Sequence, residues 1–155
     1  VNRTSATQPT VVTEWSGDYP PRGASVGKAR ARTRLLLTVW RWSGDVEDAV
    51  LVVSELVTNA VRHAARPGRV LVLRLAVLEN GTLLVDVSDP VPGLGPTGTA
   101  TSECGRGLSI VRALCTRVEW FLRPHTGKTV RAQMPGQVTA ASQEPVPQPS
   151  AAPPK

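Results

Sequence analysis

Between Val46 and Ala64 the chain repeats apolar residues at a helix's spacing, and no other feature constrains the fold as strongly. Val46, Ala49, Val50, Val53, Leu56, Val57, Ala60, Val61 and Ala64 follow the i, i+3, i+4, i+7 rhythm of one buried helix face. Ser43-Gly44-Asp45 caps the start, with Glu47 and Asp48 favourably placed in the first turn, and Pro67-Gly68 stops the helix near Ala65. A second pattern runs through the same helix. Glu55, Asn59, Arg62 and His63 stand at i, i+4, i+7 and i+8 and stack into one polar stripe. A carboxylate can take a proton, an amide oxygen can face Mg²⁺, and cations can meet an anion. Taken alone, the stripe reads as a solvated face with one salt bridge.

The flanking segments supply the partners for this helix. Val11–Trp15 reads as a short strand ended by Ser16-Gly17-Asp18, and a first helix is expected from about Ala24 to Trp42. Its apolar positions are Val26, Ala29, Thr33, Leu36, Leu37 and Trp40, and the two tryptophans at its end read as core or interface anchors. After the central helix, Val70–Val77 is a nearly continuous apolar run. Asn80-Gly81 is a strong hairpin signal, and Leu83–Asp89 returns as the second strand. The segment from Pro90 to Glu103 is rich in proline, glycine, threonine and serine and is expected to be an irregular loop. A third helix starts at Gly105-Arg106-Gly107, then strands follow over 118–123 and 128–134. Alternation puts Lys128, Val130, Ala132 and Met134 on one face of the last strand, and Thr129, Arg131 and Gln133 on the other. From Pro135 onward six prolines fall in 21 residues, a composition expected to stay disordered. The expected organisation is a flexible 1–10, a folded unit 11–134 and a tail 135–155. The fold class is α+β: a two-layer α/β sandwich with helices on one face of a mixed sheet.

Three separated segments can meet around one ligand. The first is the helical stripe. The second is Asp89, which ends a buried strand and can accept a hydrogen bond from an exocyclic amine such as adenine's; as Asp-Pro it also reads as a plain turn starter. The third is Gly105-Arg106-Gly107, where free backbone N–H groups and the helix dipole suit an anion, and which otherwise reads as a flexible helix entry. Each signal is weak; their order and spacing are not.

That combination resembles the GHKL ATPase superfamily of histidine kinases, gyrase B and MutL. It looks most like the small single-domain anti-sigma-factor serine/threonine kinases of the RsbW/SpoIIAB kind. Ser54–Ala64 looks like the N box and Val87–Gly93 like the G1 box. Gly105–Val111 looks like the G2 box, and Gly127-Lys128-Thr129-Val130 like the closing Gly-Thr motif. The resemblance implies a Bergerat-type ATP-binding fold with ATP and Mg²⁺. Glu55 would be the general base, Asn59 would hold Mg²⁺, and Arg62 and His63 would lie beside the phosphates and the sugar or base. Asp89 would bind the adenine amino group and Gly93 would let the backbone approach the base. The segment 94–104 would form the lid, and Gly105, Arg106, Gly107 and Leu108 would cradle phosphate. Thr129 belongs to the closing motif's set of nucleotide contacts. Two positions depart from the pattern: Val91 replaces the first glycine of the G1 box, and Lys128 stands where the family usually carries the adenine-contacting threonine.

The implied function is phosphorylation of an anti-sigma-factor antagonist and capture of a sigma factor, with a homodimer compatible with it. The alternative is a nucleotide-dependent interaction module with little or no phosphotransfer, which Val91 and Lys128 motivate. A chain of 155 residues leaves no room for a phosphoacceptor helix pair, which favours the serine/threonine reading over a histidine kinase. A net charge of +6 permits a nucleic-acid partner, but the basic residues are scattered and aromatic residues make up only 4%, so none is expected. No apolar run is long enough for a membrane span, and the amino terminus has no secretory signal pattern. Cys104 and Cys115 lack metal-type spacing and read as reduced thiols of a cytoplasmic protein. Gly127-Lys128-Thr129 is not a P-loop, because Leu122 stands where its first glycine belongs.

Overall fold

A computed structural model of the chain describes residues 8–64, 68–91, 105–124 and 127–137. The elements run β1 (Val11–Tyr19), α1 (Gly23–Val39), α2 (Val46–Ala64), β2 (Leu71–Leu78), β3 (Leu83–Asp89), α3 (Gly105–Leu114), β4 (Arg117–Leu122) and β5 (Lys128–Met134). The strands form one sheet in the order β1-β2-β3-β5-β4. The α+β two-layer sandwich is as expected. The sheet itself differs from the expected mixed one, since all four strand pairings are antiparallel. The Asn80-Gly81 hairpin signals the antiparallel β2–β3 pair, but hydrophobic alternation tells only which face of a strand is buried, not which way β1 runs beside β2 or β5 beside β3.

The helices cover one face. Tyr19, Leu71, Leu73, Leu75, Leu83, Val85, Val87, Ala132 and Met134 meet Ala29 and Leu37 of α1 and Ala49, Val52, Val53, Leu56, Val57, Ala60 and Ala64 of α2 in one core. The Asp45 side chain accepts the Asp48 N–H at 2.9 Å and caps α2 as its sequence predicts. The opposite face carries charge in register. Arg74, Asp86 and Arg131 stand side by side on β2, β3 and β5. Arg131 forks onto Asp86 at 2.7 and 2.8 Å, and Arg74 reaches Asp86 at 3.2 Å and Glu14 at 2.6 Å.

Two boundaries move for identifiable reasons. β1 runs on through Ser16-Gly17-Asp18, because the Trp15 ring lies over Gly17 and covers the surface a glycine leaves bare. α1 ends before Trp42, in a left-handed cap at Arg41 (φ 52°). Trp42 N–H then reaches Leu37 O at 3.0 Å and Arg41 N–H reaches Thr38 O at 3.1 Å, closing a Schellman turn. Trp42 is buried as an anchor, its indole N–H bonded to Gly81 O in the β2–β3 hairpin at 2.8 Å. Gly136 packs on that same carbonyl, and Gln137 N–H bonds Ser43 O at 3.3 Å, so the described chain stays attached beyond β5. The remainder of the tail expected to be disordered lies outside the described residues.

Candidate functional site

One end of the sandwich gathers the candidate residues. α2 packs on β2, β3, β5 and α3. Its carboxyl end leads into the start of β2, and there Val72 pairs with Ser88, next to Asp89 at the end of β3. Asp89 in turn pairs with Lys128 at the start of β5. The lower half of α2, the end of β3 and the start of β5 therefore lie together.

Glu55 and Asn59 are half-buried on α2, and Arg62 and His63 are exposed in its last turn, where cations suit the helix dipole. Glu55 reaches the amino-terminal turn of α3. Its carboxylate lies so close to Gly107 that a Cβ on that residue would overlap Oε2. A proton acceptor and the first turn of a helix thus meet without a side chain between them. Arg106 is exposed beside Gly107, whereas the Leu108 side chain is buried and leaves only its backbone to face a ligand. Gly105 opens the same turn. Gly93 and the expected lid 94–104 lie outside the described residues.

Asp89 and Lys128 form a buried ion pair. Lys128 Nζ lies 3.1 Å from Asp89 Oδ2 and 3.3 Å from Oδ1, with side-chain exposures of only 4% for Asp89 and 8% for Lys128. Asp89 Oδ1 also accepts the Val91 N–H at 2.9 Å, an Asx turn that fits the aspartate to the residue replacing a glycine. Both side chains share the helix-covered face of the sheet with Val87 and Val130. Behind the pair, Gly127 adopts φ 77° and presses on the Asp89 carbonyl and Pro90, where a Cβ would collide with backbone. Arg69 donates to Pro90 O at 3.1 Å and ties the end of β3 to the segment entering β2.

Thr129 is the candidate that this arrangement leaves out. Its hydroxyl meets Ser88 Oγ at 2.7 Å on the uncovered face, opposite Asp89 and Lys128. Strand alternation forces that separation, because neighbouring residues point to opposite faces. The residue that sequence reasoning undervalued is Lys128, noted there as a departure and here bonded to the key carboxylate. Among the described residues no group of three histidine, cysteine, aspartate or glutamate side chains could hold a metal ion. A single amide ligand at Asn59 nonetheless fits Mg²⁺, which takes most of its ligands from phosphates and water. The depression on the uncovered face, between Pro9, Arg74, Leu84 and Arg131, contains none of the candidates.

Comparisons with known proteins bear on the same region. The family described as the histidine kinase-like ATPase domain matches residues 19–134. Among curated proteins none matches. Two similar solved structures come from Erythrobacter litoralis: the EL346 blue-light activated histidine kinase, and the histidine kinase domain of that protein. The first has 23% identity and a TM-score of 0.50 over 73% of this chain and 41% of its own. The second has 23% identity and a TM-score of 0.49 over 73% of this chain and 60% of its own. The chain thus spans less than two thirds of either, and at this identity the likeness of the first concerns the fold.

Proposed function

Because the chain belongs to the histidine kinase-like ATPase family, we propose that it binds ATP with Mg²⁺ and transfers the γ-phosphoryl group to a serine or threonine hydroxyl. The acceptor is a small anti-sigma-factor antagonist, and the protein acts as an anti-sigma factor that captures a sigma factor. The observation that carries the reading is the seat of Glu55 against Gly107. Phosphoryl transfer asks a protein chiefly for position and charge stabilisation. The N–H groups opening α3 hold phosphate, and Arg62 and Arg106 offset its charge; Asn59 would hold Mg²⁺, which would supply further positive charge for the transfer. Asp89 receives the adenine amino group. Glu55 takes the proton as the hydroxyl oxygen bonds to the γ-phosphorus, the bond to the bridging oxygen breaks, and ADP leaves.

Transfer of labelled γ-phosphate to a candidate antagonist tests this. Glu55→Ala is expected to lower transfer by at least a hundredfold, within the span general-base removal commonly costs, about 10²–10⁴, while ATP binding persists. Unchanged transfer would remove Glu55 from its role. A second reading is a nucleotide-dependent interaction module with little or no transfer, which the departures from the family pattern at Val91 and Lys128 motivate. Nucleotide-dependent capture of a partner with no labelled product would favour it.

A further inference from the structure

Lys128 is an expensive residue to bury. An ammonium taken out of water loses its hydration, and even a good partner only roughly restores what is lost. A threonine or methionine would fill the position more cheaply. Lys128 is nevertheless held on the helix-covered face of the sheet, bonded at 3.1 and 3.3 Å to the two oxygens of a single carboxylate. An ammonium has three donors. Asp89 engages at most two of them, and the third has no partner among the described residues.

We propose that Lys128 reads the purine base together with Asp89, an inference that rests on the ATP-binding reading above. Adenine's pairing edge sets a donor, the 6-amino group, beside an acceptor, ring nitrogen N1. The buried pair sets an acceptor beside a donor and so matches both. Asp89 takes the amino proton, and Lys128 gives its remaining N–H to N1. Guanine in the same orientation turns its carbonyl toward the carboxylate and its ring N–H toward the ammonium, so both contacts become repulsive. The lysine that departs from the motif thereby makes the base site more selective for adenine.

Calorimetric titration of the full chain with Mg²⁺ and either ATP or 1-deaza-ATP, in which a C–H replaces N1, tests the contact. The unaltered protein is expected to bind the analogue roughly ten- to a hundredfold more weakly, and Lys128→Met to bind both alike. Equal binding by the unaltered protein overturns the proposal, as does discrimination that survives in Lys128→Met. Should that variant fail to fold, the Lys128 Nζ resonance of isotope-labelled wild-type protein is read instead. It is expected to move with ATP and not with the analogue, and an unmoved resonance with ATP bound overturns the proposal. Binding of neither nucleotide brings down the ATP-binding reading and this one with it. ATP binding without discrimination brings down the role of Lys128 alone.

Discussion

Asp89 shows how burial changes the meaning of a mutation. As a sequence position it offers one hydrogen bond to a base, so truncation would cost nucleotide affinity only. In the folded chain its carboxylate also neutralises Lys128 and accepts the Val91 N–H. Asp89→Ala therefore strands a buried ammonium, and breaking such a pair costs about 3–5 kcal/mol of stability. Asp89→Asn keeps an acceptor for both donors and removes the charge. Chemical denaturation should find both variants destabilised, the alanine variant by several kcal/mol and the asparagine variant, which keeps hydrogen-bond acceptors but not the charge, by less. Gly127 carries a related constraint through its left-handed backbone and its contact with Asp89 and Pro90. Cys115 is different again: burial pushes its thiol up to about 11. At pH 8, in a Cys104→Ser background, alkylation of Cys115 should be slow until the protein is unfolded. The unfolded thiol ionises first, so its contribution to stability is complete below about pH 9 and is lost toward pH 11.

Among the elements, the contact between α2 and α3 joins the stability of the fold to its chemistry. Glycine at 107 is a poor helix residue, and alanine there would gain about 0.5–1 kcal/mol from propensity. Its Cβ, however, would push the Glu55 carboxylate aside. Because the obstacle is the end of a flexible side chain, Gly107→Ala should unfold within about 1 kcal/mol of the wild type yet lose most phosphotransfer. Equal transfer by the two proteins would show that the seat of Glu55 does not matter. Gly127→Ala makes the contrast, since there the obstacle is backbone. It should lower stability by about 1–3 kcal/mol, measurable as a fall in the denaturation midpoint.

For the molecule as a whole, the sequence reveals most where a single element carries the signal. α2 and its cap, the Asn80-Gly81 hairpin and the course of β5 are all local patterns, and each takes its expected place. What depends on pairing was hidden. Alternation on β5 separates Thr129 from Lys128, but only the β3–β5 register reveals that Lys128 lands on Asp89. The antiparallel pairings of β1 with β2 and of β3 with β5, and the approach of Gly107 to Glu55, likewise arise from packing between distant segments. β1 outran its turn signal because the Trp15 ring, a neighbour in the strand, covers Gly17. The proposed nucleotide site lies at the end of the sandwich where β3, β5, α2 and α3 meet. Calorimetric titration of ATP with Mg²⁺ into the wild type and Asp89→Asn tests it most directly. Saturable binding by the wild type is expected, weakened about tenfold or more in the variant as a charge-assisted bond is lost. No binding by the wild type, or the same affinity in both folded proteins, would contradict it.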